Sequence, residues 1–445
     1  LKKIFLLFLF PFFCLAQNTR GIVISKTNKT PIDGVNILNL QNKTEIITDE
    51  NGEFSLKLSD IDENDVFEFS HLGFSTAKFS LKKLKELDFK ISLSENMENL
   101  SGLTITTNQR LKSKITFNKL TPLQYSISSF GSLLLDDKIY IIGGDASFQS
   151  DAFKKLKYEK PDFTLKDYVD ELKFANNLKI YKDKLLIYDI KTDIWQTSEL
   201  KFKKRAYHNV NYYNNTIYAI GGKRASANGK FEYLEDHIEV LDLNKQAITI
   251  DKTNPHQAIN FASFTYKDNI IVMGGSTKMA ENGTKQYSNQ VHLYNINSGY
   301  WYQLADMPVA KETSGVLIDN KIYLVGGNNG KPLSDIETFD LTTEKWETEG
   351  QLYSGLEKPA VNYHGDIIYF FENRKIGFFN IKSKELKQYT IELALKSSSM
   401  HYYNNKLYII GGYTENNYSQ TPSANVYNIS LDEFNTTQPD KISVL

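Results

Sequence analysis

The sequence predicts an all-β chain of two domains, a small β-sandwich followed by a six-bladed β-propeller. Three observations carry this. First, an apolar strand closed by a double glycine recurs: DKIYIIGG ends at Gly144, NTIYAIGG at Gly222, DNIIVMGG at Gly275, NKIYLVGG at Gly327 and NKLYIIGG at Gly412. A sixth copy, DIIYFFEN from Asp366 to Asn373, keeps the strand and loses both glycines. Second, each copy is followed by an acid or amide with a bulky residue at a fixed distance: Asp189 with Trp195, Asp242 with Ile248, Asn295 with Trp301, Asp340 with Trp346, Asn380 with Leu386 and Asn428 with Phe434. Repeats of this length, built of short strands and turns, are the signature of a propeller. Third, the segment before the repeats breaks into about seven short alternating runs, the pattern of a sandwich.

Composition agrees. A chain of 445 residues is long for one domain, and its 13% aromatic content suits β cores. With 52 basic and 53 acidic residues, the formal net charge of -1 gives no electrostatic case for nucleic acid or an anionic membrane surface.

Taken in order, Lys2 and Lys3 precede an apolar run from Ile4 to Phe13, then Cys14-Leu15-Ala16. A charged start, a short apolar run and a small residue before Gln17 read as a secretory signal over residues 1–16, too short to span a bilayer. Cleavage after Ala16 leaves a mature chain without cysteine, hence no disulfide framework and no thiol chemistry. No other stretch is long and apolar enough to cross a membrane.

Residues 17–107 form the expected sandwich. Pro31-Ile32-Asp33-Gly34 is a turn leading into VNILNL, and Thr48 to Phe54 reads as a tight hairpin turn between TEII and FSLKL. VFEFS, TAKFSL and LDFKISL supply further strands. His71, alone beside a turn, is read as a packed or solvated histidine rather than a ligand. The string GIV…TPIDGVNILN…TDENGEFSL…FSHLGFST resembles the carboxypeptidase regulatory-like domain, a transthyretin-like fold. That resemblance implies a structural or docking role in an exported protein of Bacteroidetes-type bacteria. It places the chain in the periplasm or at the outer-membrane surface of a Gram-negative bacterium, with outer-membrane proteins as partners. The segment from Leu93 to Thr107 is similar to the export or docking element that follows this module in receptors.

Residues 108–113 are polar and basic, a linker, and the propeller is expected over 114–436 with a tail at 437–445. Twelve residues before the first glycine stand Gly131, Asn209, Ala262, Ser314, Ala360 and Ser399, all read as small. That is what six inner strands crowding one axis require. The pairs beginning at Asp136, Asn214, Lys267, Asp319, Gly365 and Asn404 favour the positive φ of two-residue hairpins. The whole pattern resembles the kelch repeat. The resemblance implies a tryptophan packing between blades and a ring closed by strands from both ends. KITFNKL, Lys114 to Leu120, is the candidate outer strand of the last blade.

Antiparallel order puts the loop after each double glycine and the lead-in to each inner strand on one face. There lie the longest gaps, Asp145 to Asp183 with an amphipathic helical pattern in LKDYVDELKF, Lys223 to His237, and Ser276 to Asn289. Uneven loops on one rim of a rigid scaffold are the usual place of a binding surface, set against the alternative of tolerated insertions. Lys204, Arg205, Lys223, Arg224, Lys311, Glu312, Lys358 and Lys396 fall near this mouth and suggest a basic rim for a carboxylate, sulfate or acidic peptide. Each lysine alone is an ordinary solvated charge; the clustering makes the case.

Catalytic signatures are scarce. There is no HExxH, no GxSxG and no phosphate loop, so neither metal nor cofactor is expected. The copper-radical oxidases built on kelch propellers need a tyrosine–cysteine cross-link, which the cleaved chain cannot supply. The leading reading is an exported, non-enzymatic binding protein whose propeller takes a glycan or protein. A second is a cofactor-free sugar mutarotase or epimerase resembling the sialic acid mutarotase, with Arg205, Arg224, Glu232, Glu235 and Glu312 as candidate groups. A third is an accessory subunit of an outer-membrane receptor or signalling system.

Overall fold

The computed structural model describes residues 18–58, 61–71, 74–95, 111–174, 178–229, 231–279 and 285–445. The expected signal segment with Cys14, the docking element beyond residue 95 and linker residues 108–110 lie outside the described residues. The chain divides into two compact units, residues 1–109 and 110–445.

The first unit holds two sheets. One has Asn18–Ser25 at its centre, antiparallel to Glu53–Lys57 and parallel to Lys90–Leu93. The other orders Glu45–Ile47, Asn36–Asn39, Val66–Ser70 and Ala77–Ser80. Alternation along Glu53–Lys57 and Val66–Ser70 turns Phe54, Leu56, Phe67 and Phe69 inward onto Val23, Ile37 and Ile91. The Thr48–Phe54 turn is tied by Asp49, whose carboxylate accepts from the backbone of Asn51 and Glu53. It is not a hairpin, because its two flanking strands belong to different sheets; it is a corner of the sandwich. A short helix, Leu81–Glu86, was not expected; Ser80 caps it, and Leu81 and Leu84 bury against the core. His71 packs its ring edge-on to Phe74 at 5.5 Å.

The second unit is six antiparallel sheets with inner strands Gly131–Leu135, Asn209–Tyr213, Ala262–Tyr266, Gly315–Ile318, Ala360–His364 and Ser399–Tyr403. Each inner strand neighbours the next, and the last neighbours the first, so the ring is closed. The first residue of each hairpin turn, from Asp136 to Asn404, has positive φ as the turn type demands. Between the second and third strands of every blade but the fifth the chain passes through the double glycine. The second glycine of blades two, three, four and six has positive φ, and a Cβ there would stand 2.5–2.6 Å from the carbonyl of Ala206, Ile259, Glu312 or Lys396. Only glycine fits such an approach.

Six apolar cores lie between successive blades. Trp195 lies on Tyr188 and donates its indole N–H to the Thr121 carbonyl (3.0 Å); Trp301 lies on Tyr294 and reaches Thr253; Trp346 stacks on Phe339 and reaches Ala305. Each thus ties its blade to the one before. Leu386 fills the same place without a polar handle, and Phe434 fills it from a short helix, Glu433–Thr436, packed on Tyr369, Phe378 and Tyr389. The Asp or Asn that precedes each of these residues in blades one to five makes the turn between third and fourth strands. Asp189, Asp242, Asn295, Asp340 and Asn380 accept backbone N–H groups two or three residues on.

The ring closes by Asn118–Leu120, which pairs with Val426–Ser430 as the outer strand of the last blade. The residues read as a C-terminal tail are instead a fifth strand, Lys441–Val444, antiparallel to Glu385–Thr390 on the edge of blade five. It covers an edge that would otherwise offer unpaired backbone groups. Phe117 next to the closing strand meets Tyr427 edge-on at 5.1 Å. Phe117→Ala is expected to lower propeller stability by about 2 kcal/mol in urea unfolding, while exposed Tyr300→Ala changes it by less than about 0.5 kcal/mol.

Candidate functional site

The lead-in to each inner strand and the residue after each double glycine meet on one rim. Backbone bridges join Ser128 to Asp145, Ala206 to Lys223, Ile259 to Ser276, Glu312 to Asn328 and Lys396 to Tyr413. One residue further in, Ser129, Tyr207, Asn260 and Ser397 adopt positive φ between 49° and 62°. Their backbones join blade to blade: Tyr207 N–H donates to Ser129 O (2.6 Å), Asn260 N–H to Tyr207 O (3.2 Å) and Thr313 N–H to Asn260 O (3.1 Å). Left-handed backbone at non-glycine residues is strained, and it persists here because a belt of interblade hydrogen bonds holds it.

Two residues expected on the rim lie beneath it. Arg205 has 0% exposure; its guanidinium pairs with Glu239 at 2.6 Å and donates to the carbonyls of Ala219, Gly221 and His237. Lys311, 1% exposed, pairs with Glu337 and donates to Gly326 O. In blade three the corresponding lead-in residue is Ala258, and His256 fills the space, bonding the Gly274 carbonyl and His292. Three buried side chains thus hold the carbonyl of the first glycine in three successive blades. Arg205 and Lys311 are structural cations, unavailable to a ligand, and the basic rim is correspondingly smaller than the sequence suggested. Breaking such a pair leaves a buried charge uncompensated.

The remaining rim residues form mixed networks. Lys223 sits over the Tyr207 ring (4.3 Å) and pairs with Glu232 at 2.9 Å; Glu232 also accepts from Tyr181, and Tyr207 donates to Asp145 at 2.7 Å. Burial lowers the Lys223 ammonium pKa and raises the Tyr207 phenol well above its ordinary value, in the latter case with help from Asp145. Burial would raise Glu232, but Lys223 and Tyr181 outweigh it and hold the carboxyl below its ordinary range. Arg224 lies over Tyr233 (4.9 Å) with Glu235 at 3.9 Å. Glu235 is fully buried and also meets His237 Nδ1, which reaches Asp236 as well; these three ligand atoms lie within 4.8 Å of one another but are already bonded together. Glu312, 5% exposed, accepts from Ser276 (2.6 Å) and Lys285 (2.8 Å). Lys396 pairs with Glu415 at 2.7 Å and approaches Glu357 at 3.7 Å; burial lowers its pKa, yet these carboxylates prevail and raise it. Lys204 is exposed and makes none of the ion pairs found among the described residues. The candidate set Arg205, Arg224, Glu232, Glu235 and Glu312 therefore does not converge on one point: Arg205 is in the interior, and the carboxylates answer to different cations.

The rim surrounds an axial channel of about 550 Å³ lined by the inner strands. Lys358 lies at its mouth, its ammonium bonded to the Asn260 side-chain oxygen, and burial pushes its pKa down to about 8. Its blade is the one without the double glycine. There Glu372 stands in place of the first glycine, and its carboxylate accepts from the backbone N–H of Glu357 and Lys358, both at 2.8 Å. Burial raises the Glu372 carboxyl pKa against those two bonds. His208 lies deeper, 2% exposed; burial, then Arg205 and Lys358, push its pKa well below the ordinary value. Outside the channel, two further cavities open among the loops. One, of about 250 Å³, lies between the hairpins Lys223–Leu234 and Ser276–Tyr287. The other, of about 560 Å³, lies between the helical insertion and the hairpin Tyr413–Pro422. The helix expected in LKDYVDELKF is Leu165–Phe174, opened by a reciprocal Thr164–Asp167 capping box.

Sequence reasoning missed Tyr207, His208, Asn260, Tyr181 and Lys285. A signal did exist for Tyr207 and Asn260, which share a register with Ser129 and Ser397, but left-handed backbone at tyrosine is not legible in composition. Arg205→Met is expected to cost about 3–5 kcal/mol in denaturant unfolding, and adding Glu239→Leu to recover most of that loss. A rim residue in contact with ligand only would show no such pattern.

Residues 174–371 match the family profile described as the KLHDC2/KLHL20/DRC7 Kelch-repeats domain, and residues 19–105 match the CarboxypepD_reg-like domain. Kelch-like protein 15 of Mus musculus is 25% identical over 181 residues, 36% of this chain and 29% of that protein. A putative F-box/kelch-repeat protein of Arabidopsis thaliana is 35% identical over 96 residues, 21% of this chain and 37% of that protein. The chain thus spans well under half the length of these relatives. A solved structure described as that of YjhT superimposes with a TM-score of 0.50 and 13% identity, covering 70% of this chain and 99% of that one. The repeat registers, the closed ring of six sheets and these matches agree: residues 110–445 are a kelch-repeat propeller, and the unit before it is a carboxypeptidase regulatory-like domain.

Proposed function

We propose that the protein is an exported, non-enzymatic interaction protein whose propeller offers its loop-built mouth to a glycan or protein partner. The sandwich serves docking or assembly at the cell envelope. Kelch-repeat propellers generally mediate protein–protein interaction, which gives the coarse function. One observation carries the finer reading. The irregular connections, two loop cavities and a buried network of Tyr207, Lys223, Glu232 and Lys358 lie at one rim of the ring. Such clustering marks a working surface more often than a structural one. Export rests on the residue pattern of the first sixteen positions. No helix among the described residues is long and apolar enough to cross a membrane.

The test uses a glycan array and cross-linking capture with the full chain. Lys223→Ala with Lys285→Ala is expected to weaken retention tenfold or more. Lys267→Ala with Lys406→Ala, at turns on the opposite rim, is expected to leave it unchanged. The reverse result would sink the reading. N-terminal sequencing of the secreted protein should begin at Gln17; an intact leader on a cytoplasmic protein would remove the envelope assignment.

A further inference from the structure

We propose that the helix Leu165–Phe174 of the blade-one insertion is a self-association surface, on which a second copy of this chain lays the same helix antiparallel about a twofold axis at Val169. This goes beyond the interaction reading above and does not depend on it, because the surface meets its own copy and not the partner taken at the mouth.

The helix is turned inside out. Leu165, Val169 and Leu172, spaced by four residues and then three, share one face, and that face is in solvent: they are 78%, 46% and 49% exposed. The opposite face carries Asp167 and Glu171, and it is the covered one. Asp167 pairs with Lys160 at 2.9 Å and Glu171 with Lys155 at 2.8 Å, both lysines belonging to the preceding helix Ala152–Glu159 and its C-cap. Turned by half a revolution, the same ten residues would bury the aliphatic stripe and give the carboxylates to water, as an ordinary surface helix does. The ion pairs hold it the other way. Beside the stripe, Tyr168 meets Phe153 edge-on at 6.2 Å, and Phe153 is itself half-exposed, so the apolar surface continues onto the first helix. A contiguous exposed apolar patch on a pinned support marks an interface.

The spacing selects the occupant. Counted from Val169, the leucines stand four residues before and three after, so the stripe reads nearly the same in both directions. An antiparallel copy therefore sets Val169 against Val169 and Leu165 against Leu172, and one stripe covers the other. Charge agrees along one edge of the stripe, where Lys166, Asp170 and Lys173 follow in the order plus, minus, plus. Asp170 holds Lys173 at 2.7 Å, whereas Lys166 makes no ion pair among the described residues. The twofold carries Lys166 to within about 3 Å, along the axis, of Asp170 of the second copy, and supplies its counter-charge. A lipid surface is the poorer occupant. Residues 151–174 carry six lysines and six carboxylates, a net charge of zero, with no attraction to anionic headgroups.

Sedimentation velocity on the full chain tests this. A two-helix contact lies at the small end of interfaces, so a weak dimer is expected, forming between about 1 and 100 µM. Leu165→Asp and Leu172→Asp should each weaken it by roughly tenfold or more. Both side chains already lie in solvent, so the melting temperature should not move, and loss of the dimer is not loss of fold. Tyr300→Asp, exposed on blade three, should leave the dimer as it is. Lys166→Glu should weaken association, and adding Asp170→Lys should restore it, a rescue that pairing of one helix with its own copy gives. In a Cys14→Ser background, Val169→Cys should cross-link two copies under mild oxidation, and Lys157→Cys should not. A chain that stays monomeric throughout this range, or a dimer indifferent to both leucine substitutions, overturns the inference. So does a monomer that uses Leu165 and Leu172 to bind phosphatidylcholine vesicles, which would name a lipid as the cover. A dimer with no captured glycan or protein fails the interaction reading alone; capture by a strictly monomeric chain fails this inference alone.

Discussion

Six strands must approach one axis closely enough to bond to their neighbours through the lead-in residues, and the rest of the propeller follows from that crowding. The first residues of the inner strands are small because a side chain there meets the next blade: a Cβ on Gly131 would stand 2.6 Å from Val210 and 2.7 Å from His208. The second strand must then leave without striking the lead-in of its own blade, which is the work of the second glycine. Outward from the axis the demand reverses. The wedge between blades widens, and tryptophan, leucine or phenylalanine fills it.

The same crowding explains the buried cations. The strained double-glycine turn leaves a first-glycine carbonyl facing the next layer, where it needs a donor. Arg205, His256 and Lys311 supply it in blades two, three and four, each coupled to a third-strand partner, Glu239, His292 or Glu337. A lead-in cation therefore reports on backbone satisfaction before it reports on a ligand. This is why the rim inferred from sequence was too large. Register places Arg205 beside the mouth, but register alone does not say whether a long side chain turns out to solvent or back under the turn.

Much of the architecture was legible because it is periodic. The glycine pairs, the hairpin residues and the Asp-to-Trp spacing each repeat, and each maps onto one geometric need. Lys114 to Leu120 was recognisable as the closing strand because kelch-type rings close with strands from both ends and KITFNKL is an extended run ahead of the first blade; Asn118–Leu120 does pair with the last blade. What was not legible is what happens once. The corner at Thr48–Phe54 looks like a hairpin because turn chemistry is the same whether two strands share a sheet or change sheets. Lys441–Val444 carries only four residues of weak alternation, and its place as a fifth strand depends on an edge supplied by blade five, far earlier in the chain.

The departures from the repeat point toward the chemistry. Blade five lacks both glycines, and Asn373 and Arg374, both left-handed, turn the chain directly into the third strand. No residue after the turn remains to bridge the lead-in, so Glu372 bonds the backbone of Glu357 and Lys358 in its stead. Pro359 then biases Lys358 toward extended backbone, unlike its left-handed counterparts in blades one, two, three and six. The backbone belt is interrupted there, and a side chain enters the axis where other blades place a peptide. A fold that repeats one solution five times and breaks it once has a reason at the break. The break sets a half-buried ammonium, depressed by its surroundings, at the place where the six blades meet.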